Sequence, residues 1–152
     1  MDGGNEVLFL PDKREQIEDT TQYPYCCIGL VMFQLKKKKC AGTGCLISGR
    51  IVLTAAHNIY DRNKKLRSTN ITFAPGVNGK KDKEYEIVDY CYPEEYEKEE
   101  KDENAWEYDY CILLLEKDLG DEHGWVGIDA SYRNIEGVEQ IEVVGYPGDK
   151  IE

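Results

Sequence analysis

Gly42-Thr43-Gly44-Cys45-Leu46-Ile47-Ser48-Gly49-Arg50-Ile51-Val52-Leu53-Thr54-Ala55-Ala56-His57 decides how the rest of the chain is read. It contains two short apolar runs, rich in Val, Ile and Leu, separated by Ser48-Gly49-Arg50. That pattern predicts a tight antiparallel hairpin with Gly49 supplying the reversal. The second run ends in Thr54-Ala55-Ala56, where side-chain bulk disappears, and then presents one of only two histidines. Small residues beneath a side chain let the backbone pack closely, so the scaffold sets its rotamer. An imidazole held in that way suits a general base, because its unperturbed pKa of roughly 6.5 lies near working pH. The bland alternative is a polar residue capping a strand end.

Working outward, Ile28 to Leu35 reads as a strand, and Lys36-Lys37-Lys38-Lys39 as the solvated tip that turns it into the hairpin. Asn58 to Lys65 reads as polar loop. Asn70-Ile71-Thr72-Phe73-Ala74 alternates and stops at Pro75-Gly76, and Glu84 to Tyr92 alternates again, with Tyr85 and Ile87 inward and Val88 left open. Short strands at this spacing, broken by Gly, Pro and Asn, predict an antiparallel barrel or sandwich. No sustained helical period and no internal repeat is evident. Pro93 to Asn104 (PEEYEKEEKDEN) is a charge run; it reads as an elongated solvated loop, with a cation site as the rival because carboxylates are hard oxygen ligands. Asp109 borders the apolar run Cys111-Ile112-Leu113-Leu114-Leu115, so it is expected to be partly buried and to need a partner. His123 reads as lying among exposed loop residues and is a poor rival to His57.

The histidine stretch resembles the histidine motif of chymotrypsin-fold serine proteases, in which Leu53-Thr54-Ala55-Ala56-His57 carries the catalytic base. A second, independent match resembles the opening of the glutamyl-endopeptidase-like branch: Asp12-Lys13-Arg14, then Asp19-Thr20-Thr21, then Tyr23-Pro24-Tyr25 before the first strand. The resemblance covers roughly residues 12 to 150. It implies an all-β protein with an antiparallel six-stranded Greek-key barrel of the trypsin-like fold and only the first strand of a second barrel. The implied layout is an amino-terminal arm over 1–11 and a first barrel over 12–118. A crossover over 119–138, with Trp125-Val126-Gly127-Ile128 as an apolar anchor, then leads to the incomplete second barrel over 139–152.

The same resemblance implies site residues. His57 is the general base and Asp109 orients it through the ring N–H; the acidic run lengthens the separation between them. A third member, a serine in a Gly-x-Ser-Gly context, is implied further on, yet Ser48, Ser68 and Ser131 all lack that context. Losing the nucleophile alone typically lowers turnover by roughly a million-fold, so these residues alone are expected to be inactive. The expected function is therefore serine-type endopeptidase, on a polypeptide substrate, in a chain without its own nucleophile. Alternatives are a catalytically dead single-barrel interaction module, a half-enzyme completed by a partner chain, and a cysteine peptidase of the same architecture. The resemblance to glutamyl endopeptidases implies an acidic residue before the cut, and an acidic loop beside the cleft would favour basic residues flanking it.

Composition narrows the remaining choices. At 152 residues the chain suits one domain or one complete half of a larger one. A net charge of −11 speaks against nucleic acid, whose phosphates need a clustered cationic face. No stretch has the length of a membrane span, and Val7-Leu8-Phe9-Leu10 is too short for a secretory signal. The six cysteines show no zinc spacing, so no metal and no cofactor is expected. In many members of the resembled family a disulfide clips the residue after the catalytic histidine to the preceding strand. The matching positions here are Asn58 and Gly42, which points to a reducing compartment and favours the cytoplasm over secretion.

Overall fold

The computed structural model describes residues 12–79, 83–130 and 141–148. The paired runs of the opening stretch form β2 (Lys38–Ser48) and β3 (Ile51–Thr54), joined at Gly49-Arg50. β1 (Ile28–Leu35) precedes them, and the exposed Lys36-Lys37 turn connects β1 to β2. A small hairpin of β4 (Tyr60–Asp61) and β5 (Leu66–Arg67) follows, then β6 (Thr69–Pro75), β7 (Tyr85–Cys91) and β8 (Cys111–Leu115). Six of these strands close an antiparallel barrel in the order β1-β2-β3-β8-β7-β6, with β6 returning to β1. This is the expected trypsin-like barrel.

Alternation of the side chains fills the barrel. Val31, Phe33, Leu46, Val52, Phe73, Tyr85, Leu113 and Leu115 turn inward from all six strands and are buried. Gly29 and Gly44 face each other across the β1–β2 ladder. A Cβ on Gly29 would stand 2.6 Å from the Phe73 ring, and one on Gly44 would stand 2.7 Å from both Val31 and Val52. The absence of two side chains thus makes the room that one aromatic ring occupies. Gly49 works by close approach as well: it does not adopt a left-handed conformation, but a Cβ there would meet the Asp118 carboxylate at 2.2 Å.

The lead-in is tied to the barrel by the residues that carried the second resemblance. Asp19 accepts from the Thr21 N–H at 3.0 Å. The Thr20 hydroxyl donates to the Gly76 carbonyl just past β6.

Four readings need correction. Pro93–Asn104 is not an elongated loop: it contains α1 (Glu94–Lys98) and α2 (Asp102–Ala105), because Tyr96 and Ala105 are buried among the acidic residues. The stretch Asn58 to Lys65 is not all loop, since β4 lies within it and pairs with β5 just beyond it. His123 ends α3 (Gly120–His123), and its carbonyl accepts from the Cys26 and Cys27 thiols at 3.2 and 3.3 Å. Of the expected anchor at 125–128, only Val126 packs on the core and donates its N–H to Leu46, while Trp125 and Ile128 are exposed. Val88, left open, is exposed.

Beyond α3, Gly145 and Tyr146 of the described residues 141–148 lie against β2, where the Tyr146 N–H donates to the Thr43 hydroxyl at 2.9 Å, while Ile141 and Val143 are exposed. Residues 141–148 carry no ladder pairing among the described residues. The arm at 1–11, the crossover beyond residue 130 with Ser131, and residues 139–140 and 149–152 of the expected second barrel lie outside the described residues.

Candidate active site

The β3–β8 ladder positions the site. Thr54 at the end of β3 pairs with Cys111 at the start of β8. The chain leaves β3 into a 3-10 turn at Ala56–Asn58, and it enters β8 from another at Trp106–Tyr108. His57 and Asp109, 52 positions apart in sequence, are therefore delivered to the same barrel edge. His57 Nδ1 lies 2.8 Å from Asp109 Oδ2, and the His57 backbone N–H donates to Asp109 Oδ1 at 2.8 Å. One carboxylate thus holds both the ring and the backbone of the same residue.

The exposures differ in a useful way: the His57 side chain is 61% exposed and the Asp109 side chain 22%. The carboxylate sits behind the imidazole, and the imidazole faces outward. The hydrogen bond that the ring donates to Asp109 raises the His57 pKa above its ordinary 6.5, against the opposing effect of burial. Burial on its own would push Asp109 up. The His57 ring and backbone N–H groups outweigh it and hold the carboxyl below its ordinary value. With Asp109 ionised, neutral His57 carries its proton on Nδ1 and keeps an acceptor lone pair on Nε2.

A buried polar relay underlies the turn. The Thr54 hydroxyl donates to the Thr43 carbonyl at 2.7 Å and accepts from Asn58 Nδ2 at 2.9 Å. The Ser68 hydroxyl donates to the Asn58 carbonyl at 2.7 Å. Gly42 completes the arrangement, since a Cβ there would stand 2.5 Å from the Asn58 amide. The two positions matching the implied disulfide clip are thus in contact, and an amide occupies the space. The sequence alone shows both cysteines missing; the fold shows what replaces them. The signal was the pairing of a small residue at 42 with a short polar one at 58.

The remaining nucleophile candidates are placed elsewhere. Ser68 is buried with its hydroxyl engaged, and Ser48 ends β2. All six cysteines are unpaired thiols. Burial pushes Cys27 and Cys111 up to about 12 and raises Cys45 too, which suppresses the thiolate form. Among the described residues no cluster of His, Cys, Asp or Glu is arranged to hold a metal, and no helix is long and apolar enough to cross a membrane. Grooves of about 550 and 450 Å³ lie on outer barrel surfaces and include neither His57 nor Asp109.

The family profile described as Trypsin matches residues 20–151. The chain belongs to the trypsin family. Within it the likeness is to glutamyl endopeptidases. The glutamyl endopeptidase of Bacillus licheniformis is 29% identical over 144 residues, covering 91% of this chain and 42% of that protein. A Bacillus subtilis protein named extracellular metalloprotease is 32% identical over 147 residues, covering 91% of this chain and 44% of its own length. A solved glutamyl endopeptidase structure superposes with a TM-score of 0.62 at 21% identity, over 76% of this chain and 51% of that one. The chain spans less than half the length of the two curated relatives. The name of the second does not favour the cytoplasmic expectation.

Proposed function

We propose that this chain supplies the general base and its orienting carboxylate to a serine endopeptidase acting on polypeptides. One observation carries the reading: Asp109 engages His57 through ring and backbone at once, at 2.8 Å each. In the proposed cycle His57 Nε2 takes the proton of an attacking serine hydroxyl, the imidazolium is stabilised by Asp109, and the proton then passes to the leaving amine. Asp109 stays ionised throughout. The nucleophile and the oxyanion hole come from residues other than these 152, because no serine here stands in a Gly-x-Ser-Gly context.

The raised His57 pKa sets the pH dependence. The base works deprotonated, so kcat/KM climbs with pH through a value above 6.5.

A fluorophosphonate probe tests the proposal. Residues 1–152 alone are expected to give background labelling, and the complete product of the encoding gene to label strongly. His57→Ala in that product should lower labelling and turnover by roughly a million-fold. A His57→Ala protein that still turns over peptides at the unmodified rate would refute the assignment.

A further inference from the structure

His57 and Asp109 sit on two segments that the β3–β8 ladder joins at one end only, at Thr54 and Cys111. Past the dyad both segments leave the barrel, and they meet again at two arginines: Arg67 in β5, whose Nη2 donates to Glu97 Oε1 at 2.7 Å, and the more deeply buried Arg62. Arg62 follows β4, and its guanidinium reaches the acidic excursion at three points. Nη1 donates to the Tyr96 carbonyl, Nη2 to the Glu99 carbonyl, and Nε to Asp102 Oδ1 at 3.4 Å. The two carbonyls lie at the carboxyl end of α1, where helix geometry leaves acceptors without intrahelical donors. Asp102 is the first residue of α2. The guanidinium therefore fills the joint between the two short helices.

That joint is mechanically connected to the dyad. α2 passes into the 3-10 turn Trp106–Tyr108, and the Asp109 N–H donates back to the Trp106 carbonyl. The Tyr96 ring, buried beneath the Arg62 guanidinium at 5.4 Å, points its hydroxyl towards the Tyr60 carbonyl in β4. Arg62 itself is only 14% exposed. We infer that Arg62 is a positioning residue, whose three-point grip closes the chain around the dyad and holds the Asp109 carboxylate in register with His57. It acts through backbone placement, and it rests on the reading of His57 and Asp109 as base and orienter.

The test separates placement from charge. Removing a nearby cation by itself raises an imidazole pKa, whereas loosening Asp109 lowers it. Arg62→Ala is therefore expected to move the His57 titration, followed by NMR of the ring, downward towards 6.5. Exchange of the His57 backbone N–H should quicken about tenfold, while Leu46, Val52 and Leu113 amides stay within about twofold of the unmodified chain. An unchanged or raised His57 pKa with unchanged amide protection would overturn the inference. Should Arg62→Ala not fold, Arg62→Lys carries the test, because it keeps charge and stem but cannot span two carbonyls and a carboxylate. Wild-type protection of the His57 amide in Arg62→Lys would likewise overturn it. Asp109→Asn is the control: if it leaves the His57 pKa in place, the dyad reading itself fails, whatever Arg62 does.

Discussion

The closed barrel and the excursion from Pro93 to Tyr108 hold their shapes in opposite ways. The barrel is a continuous ladder around inward-facing Val, Leu, Phe and Tyr side chains, and every strand in it is paired on both sides. The excursion buries Tyr96 and Ala105 only, and its fixed points are two arginines on a few carbonyls and carboxylates. His57 is anchored on the first kind of structure and Asp109 emerges from the second. The dyad is thus built where a stiff scaffold meets a lightly held one. Function in such a pair is most vulnerable on the side with fewer contacts.

Four changes would break or sharpen that contrast. Phe73→Ala attacks the barrel at its centre, in the space left by Gly29 and Gly44. It should cost about 3–5 kcal/mol in urea unfolding, with every barrel amide exchanging faster. Gly42→Ala presses a methyl group into the Asn58 amide and should cost about 1–3 kcal/mol. A neutral outcome in the melting curve would mean that the relay under the His57 turn is soft.

Asp109→Asn should lower the His57 pKa from its raised position, and the sign of its stability effect depends on pH. The raised His57 pKa stabilises the fold fully below 6.5 and ceases to do so as pH rises through the folded value. The depressed Asp109 pKa stabilises above 3.8, and its contribution is lost as pH falls through the folded value. The melting-temperature loss of Asp109→Asn should therefore be greatest between those limits and shrink on either side. Smallest of all, Lys98→Ala removes an exposed ion pair with Glu94 on α1 and should leave the melting temperature unmoved, since screened surface pairs contribute little.

The contrast also explains what could be read in advance. β1, β2 and β3 announce themselves as short apolar runs, and β6 and β7 by alternation, each bounded by Gly, Pro or Lys. His57 was legible because its support, Thr54-Ala55-Ala56, is contiguous with it. Asp109 was legible from the apolar run that follows, since a carboxylate at the edge of a core needs a partner. The excursion was misread because its two buried residues are diluted by seven acidic ones between Glu94 and Glu103. Its stabilising arginines lie 30 to 40 positions earlier, beyond the reach of any local pattern. The Asn58 relay failed to register for a related reason: hydrogen bonds among Thr43, Thr54, Asn58 and Ser68 have no period, and only folding makes them neighbours.

The amide that sits against Gly42 has a wider consequence. A covalent sulfur bridge in that place would tie the geometry of the imidazole to the thiol–disulfide balance of its surroundings, and a reductant would slacken the turn. Uncharged hydrogen bonds have no such dependence. The histidine turn of this chain is therefore blind to redox potential, and it should keep the same shape with or without dithiothreitol.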